Sequence, residues 1–199
     1  MKKLAVVVMM IAIATFMTAA MASADDHDGW GIHGKYAVTG SNNCLAAPNG
    51  FDSNLTAIGG VSGTSAESWE GTYTFMPGGK GELDVIDHDA GAIPGSGGSL
   101  SIHWDFHYTV KDGGRITFTE VPGSYIGKWL TGPAAGFGQY LGIEGSWKGV
   151  ISPDGNQIHV TWGAPLILEL LDAQGGAPVG LQLICNGSFV LFRLRDARD

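Results

Sequence analysis

Between residues 99 and 110 the chain alternates apolar and polar side chains without a break, and no other stretch restricts the fold as tightly. Leu100, Ile102, Trp104, Phe106, Tyr108 and Val110 fall on one face of a strand, and Ser101, His103, Asp105, His107 and Thr109 on the other, because successive strand side chains point to opposite sides. An apolar stripe of that width, half of it aromatic, needs a broad hydrophobic surface opposite it, which a closed or sandwiched sheet supplies. Shorter stripes recur along the chain: Trp69, Tyr73 and Phe75; Ile116 and Phe118; Ile143, Trp147 and Ile151; Ile158, Val160 and Trp162. Turn-forming runs separate several of them, among them Pro77-Gly78-Gly79, Asp112-Gly113-Gly114 and Pro153-Asp154-Gly155, so neighbouring stripes read as hairpins. The chain is therefore expected to be all-β, a single antiparallel up-and-down β-barrel of eight to ten strands over residues 34–195. Residues 87–98 read as a long loop before the central strand, and residues 166–171 suit a short helix as well as a strand.

Met1-Lys2-Lys3, an almost wholly apolar run over residues 4–17 and the small-x-small triplet Ala22-Ser23-Ala24 follow the order of a secretory signal peptide. Cleavage after Ala24 would leave 175 of the 199 residues, with 25–33 as a flexible acidic N-terminus and 196–199 as a charged tail. The expected location is periplasmic or extracellular. No later run approaches the ~20 apolar residues of a membrane span, so stable membrane insertion is not expected. Loss of Lys2 and Lys3 would leave nine Lys and Arg against 19 Asp and Glu. That balance argues against nucleic acid or anionic membrane as a partner, since both call for basic residues to neutralise phosphate.

Cys44 and Cys185 stand near the start and the end of the folded part. In an oxidising compartment the default for such a pair is a disulfide, which would tie the first strand beside the last and so close the barrel.

The Gly34-Lys35-Tyr36 opening of the first strand, the early and late cysteines, and Arg193 or Arg195 at the end of the last strand together resemble the calycin (lipocalin-like) barrels. In that family Gly-x-Trp opens the first strand and a late arginine packs across its ring. Here Tyr36 stands in place of the tryptophan, and the family's middle Thr-Asp-Tyr motif is absent. The pattern is also similar to secreted bacterial proteins of unassigned function. The calycin resemblance implies a non-enzymatic protein that binds a small apolar ligand inside its barrel. The inward aromatic set Trp69, Tyr73, Phe75, Trp104, Phe106, Tyr108, Trp147 and Trp162 would form the ligand-binding walls. Gly71, Gly145 and Gly149 on the inward side would leave room.

A periplasmic metal-binding protein is the alternative. A new terminus Asp25-Asp26-His27 offers an amine, two peptide nitrogens and an imidazole, a square-planar set suited to Cu or Ni. His103, Asp105 and His107 form a row of possible Zn or Cu ligands at ~6.6 Å intervals along one strand face. Asp105 could share an ion with one of the two histidines, with His88, Asp87, Asp89 or His159 completing the set. The competing reading of that row is the wet outside of the barrel. A third possibility is an extracellular structural or interaction domain with a filled core. An Asp beside a His could also do acid–base work, but no Gly-x-Ser-x-Gly elbow is present and Ser146 falls within a strand pattern. The reading is thus of no enzyme and no cofactor.

Overall fold

The computed structural model describes residues 32–91, 97–141, 146–162, 165–171 and 178–195. The expected signal peptide and His27 lie outside them, as do Ile143, Gly145 and residues 196–199. Eleven strands are described: β1 (Gly34–Ala47), β2 (Gly63–Met76), β3 (Lys80–Ala90), β4 (Gly98–Lys111), β5 (Arg115–Glu120), β6 (Ile126–Trp129), β7 (Gly138–Leu141), β8 (Ser146–Ile151), β9 (Gln157–Trp162), β10 (Leu166–Leu171) and β11 (Pro178–Arg193). Residues 166–171 are a strand. No helix among the described residues is long and apolar enough to cross a membrane.

The sheet is antiparallel and closes on itself. β1 to β4 form a meander of long strands. One half of β4 pairs with β5, from Phe106 opposite Glu120 to Lys111 opposite Arg115, and the other half pairs with β6, from Leu100 opposite Trp129 to His103 opposite Ile126. β11 is divided in the same way between β9 and β10. The pairs β5/β6, β7/β8 and β9/β10 therefore occupy three wall positions, each interrupted part-way up, and the barrel has eight positions around its girth. β1 against β11 closes the ring, with Tyr36 opposite Arg193 and Cys44 opposite Cys185.

The register fixes how far the strands tilt. The row beginning at Thr109 runs through Thr117, Lys148, Thr161, Ser188, Ser41, Ser68 and His88 and returns to β4 at Ser99, ten residues from its start. An eight-position barrel with such a stagger has an interior just wide enough to be filled by side chains or to hold one small molecule.

Alternation decides which side chains enter that interior. Trp69, Tyr73, Phe75, Trp104, Phe106, Trp147 and Trp162 are all buried, and their rings form one connected stack. Trp104 and Trp147 lie 4.6 Å apart, Phe118 and Trp147 stack at 5.5 Å, and Tyr36 meets Phe75 edge-on at 5.0 Å. Burying each large side chain contributes on the order of 2 kcal/mol. One end of the barrel, the floor, carries the hairpin turns after β2, β4 and β8. There the Tyr36 hydroxyl donates to the Gly155 carbonyl at 3.0 Å, and the Tyr108 hydroxyl lies 3.2 Å from the carbonyls of Ile32 and Met76.

Two inward glycines do not provide the room expected of them. A Cβ on Gly71 would collide with the Asp84 carbonyl of β3, and its φ of 149° disfavours any side chain. A Cβ on Gly149 would lie 2.6 Å from the His159 carbonyl and 3.1 Å from the Val160 side chain. Both glycines serve close strand approach and leave no vacant interior space.

Candidate functional site: an acidic, aromatic lining

β3 does not stop at Ile86. Its alternation runs Leu83, Val85, Asp87, Asp89, and its pairing with β4 extends to Asp89 opposite Gly98. The two ends of the segment expected to be loop, residues 87–90 and Gly98, are thereby drawn into the wall, and Asp87 and Asp89 are turned to the side that carries Leu83. In β2 the residue two before Trp69 is Glu67, which faces inward for the same reason. Trp69 is registered opposite Asp87, and Glu67 opposite Asp89. Glu67, Asp87 and Glu120 are buried, as is Asn42 of β1. The mouth half of the interior is thus lined by acids and tryptophans together.

A polar chain crosses this half of the interior. The Trp162 indole donates to Asn42 Oδ1 at 3.1 Å, and Asn42 Nδ2 donates to Glu67 Oε2 at 3.4 Å. Glu67 Oε1 lies 3.0 Å from Cys44 Sγ. That sulfur belongs to the Cys44–Cys185 disulfide and has no hydrogen to give, so the contact suits a protonated Glu67. Burial pushes Glu67 above the ordinary carboxylate range. Asp87 is pushed up to about 9, first by burial and then by the neighbouring Glu67 carboxylate, with which it also shares a hydrogen bond; Asp89 adds to the effect and the Trp69 indole opposes it. Tyr125, packed edge-on to Trp104 at 5.3 Å, is likewise raised by burial and by Asp87, Glu67 and Glu120. All charged groups acting on Asp87 are acids.

Several buried polar atoms have no hydrogen-bond partner in the protein. These are the indole nitrogens of Trp104, Trp129 and Trp147 and the hydroxyl of Tyr73; the Trp69 indole acts on Asp87, and Ser65 on Glu67 and Asp89, within the acid cluster. Native interiors satisfy nearly all such groups, and leaving one unmet costs about 1–3 kcal/mol. Their concentration inside one barrel marks a lining equipped for polar contacts that its own side chains do not make.

The residues expected to hold a metal are distributed differently. His103, Asp105 and His107 lie on the outer face of β4. His103 Nδ1 is 2.8 Å from Asp84 Oδ1, and its Nε2 is 3.6 Å from Asp105 Oδ1. The hydrogen bond to Asp84 raises the His103 pKa, helped by the charge of Asp105, favouring an imidazolium that donates from Nδ1 to Asp84. His88 faces outward to Glu70 and Ser99, so the barrel wall separates it from Asp87 and Asp89. Among the described residues, the ligand atoms close enough to share an ion are those of Cys44, Glu67 and Cys185, and there the two sulfurs are bonded to each other. Replacing His103 by alanine should lower stability by at most about 1 kcal/mol, because the pair is solvent-screened. Urea titrations should show that loss below the ordinary histidine pKa and see it vanish as pH rises through the raised one.

A concavity lies on the outer wall, an open groove of about 750 Å³ lined by Lys111, Arg115, Thr117, Lys148 and His159 among others. It gathers basic residues that look scattered in the sequence, but their charged ends are in solvent. Compared with family models, with curated proteins and with solved structures, the chain finds no match.

Proposed function

We propose that this is an exported, non-enzymatic barrel of calycin-like architecture that holds a small ligand with an apolar or aromatic body in the mouth half of its interior. The observation that carries this reading is the division of the interior. The floor half is sealed by tyrosine hydrogen bonds and filled by its own rings, whereas the mouth half brings together tryptophan surface and the buried polar groups Asn42, Glu67 and Asp87. Ligand pockets have that composition: mostly apolar walls and a few placed polar groups. Of the aromatic residues singled out from the sequence, Trp69, Trp104 and Trp162 border this half, and Tyr125 and Trp129 join them. Tyr73, Phe75, Phe106, Tyr108 and Trp147 serve mainly as core. The disulfide fits an oxidising, exported location.

Native mass spectrometry of protein purified from its own host should show an organic adduct that is lost on denaturation. Recombinant protein should enhance the fluorescence of the neutral dye N-phenyl-1-naphthylamine, with energy transfer from the tryptophans. A bare native mass together with no dye response would refute an interior binding site.

A further inference from the structure

Charges on the outside of the barrel are sorted by wall, and we infer from that sorting that copies of this chain associate head to tail, the acidic wall of one seating in the basic groove of the next. The groove spans β5, β8, β9 and β11. Lys111 is registered opposite Arg115, Arg115 opposite Val150 and Val150 opposite His159, while Lys148 stands two residues before Val150 on the same face. Basic side chains thus surround a valine that is 54% exposed, at ~5 Å across the strands and ~6.6 Å along them. No acid lines the groove. The ion pairs among the described residues are made by histidines, so Lys111, Arg115 and Lys148 have no carboxylate partner there.

The wall that faces the other way carries the opposite sign. β2 and β3 lie four positions from β8 and β9 around the eight-position girth. Their outer face shows Glu70, Glu82 and Asp84, with Lys80 at the start of β3 as its single Lys or Arg, and Asp105 of β4 is registered opposite Glu82. Ile126 of β6, 63% exposed, sits beside them opposite His103. Each wall therefore joins charge of one sign to a bare apolar side chain, the makings of a small interface with an apolar centre and a charged rim. Repulsion between two chains of formal charge −8 disfavours every approach except the one that brings groove to acidic wall. A foreign polyanion would suit the groove and leave the acidic wall unused, whereas a second copy uses both. Because the two surfaces lie on opposite sides of one body, their contact cannot close as a two-fold dimer and repeats into strings.

Sedimentation velocity tests this on the intact, disulfide-bonded protein. In about 20 mM NaCl, where charges act over about 20 Å, the weight-average mass should rise with protein concentration past that of a dimer. It should return to the monomer in about 0.5 M NaCl, where they act over about 4 Å. Arg115→Gln/Lys148→Gln and Glu70→Gln/Glu82→Gln, each checked for folding by near-UV circular dichroism, remove charge from one wall without creating a new complement. Each alone should be monomeric. Mixed in equal amounts they should form a dimer and nothing larger, because the intact acidic wall of one meets the intact groove of the other. A wild type that stays monomeric in low salt would overturn the association, and so would self-association that both variants retain. A mass that levels off at the dimer would replace the head-to-tail contact by a two-fold one. Heparin bound at the groove of a wild type that stays monomeric would reassign the groove to an outside polyanion. None of these results bears on the interior site.

Discussion

Replacing Asp87 by asparagine should stabilise the barrel at pH 8 and flatten the dependence of its stability on pH. In the folded protein the Asp87 carboxyl is held protonated up to about pH 9, through burial first and the neighbouring Glu67 second. In the unfolded chain an aspartate releases its proton near pH 4. Between those values the folded state binds the additional proton, so folding weakens as pH rises. The contribution is present in full below the unfolded pKa and is lost progressively up to the folded one. Each proton of difference corresponds to about 1.4 kcal/mol per pH unit, which makes the wild-type loss across this window on the order of 7 kcal/mol. Glu67, also raised, acts in the same direction. Asp154, held down to about 2 by Ser152 and Asn156, acts in the opposite sense, but only at more acid pH. Asparagine keeps the size of the side chain and has no charge to bury. Urea midpoints at pH 5, 7 and 9 should fall steadily for the wild type and barely move for Asp87→Asn; a wild-type midpoint independent of pH would contradict the buried protonated acid.

Removing the disulfide should also be costly. Cys44 and Cys185 are 141 residues apart in sequence, yet registered opposite each other on the two strands that close the ring, with Cα atoms 4.1 Å apart. In the chain-entropy model a cross-link over a loop of that length is worth about 4–5 kcal/mol, and measured values for native bridges fall around 2–5 kcal/mol. The β1–β11 ladder extends well to both sides of the bridge, from Tyr36 to Ala47, and the aromatic stack does not depend on it. The Cys44→Ala/Cys185→Ala protein should therefore remain folded at 25 °C while its urea midpoint drops substantially. Reduction of the wild type should give the same shift. An unchanged midpoint would mean that the unfolded chain gains little freedom when the bridge is lost.

The barrel was legible in the sequence because alternation over a long, aromatic strand has few other solutions. The stripe of β4 and the pairing of first strand with last follow from residues 99–110 and from two cysteines placed early and late in the chain. The inward direction of Trp69, Tyr73 and Phe75 needed only the period of two. The acidic lining was hidden by its chemistry. Asp87-His88-Asp89-Ala90-Gly91 has the composition of a loop, and it is β4 entering at Gly98, opposite Asp89, that holds it in the sheet. That is a tertiary pairing, which local propensity does not encode. Glu67 was accessible to a stricter use of the same rule, since it shares parity with Trp69. Gly71 and Gly149 looked like vacant space because a sequence shows where a side chain is missing but not which backbone has moved into its place. The interruptions that divide β5 from β6 and β9 from β10 follow from a half-by-half pairing along β4 and β11 that no local pattern announces.

Closure of the ring has a bearing on how this molecule meets other chains. Open sheets end in a row of unsatisfied amides and carbonyls onto which a foreign strand can add, the route by which many domains capture extended peptides and by which unfolded neighbours aggregate. With β1 hydrogen-bonded to β2 on one side and β11 on the other, the long strands have no such margin to offer. Association with another protein would have to be written in side chains on the convex surface, and a molecule built this way can be concentrated with little risk of templating fibres from its own backbone.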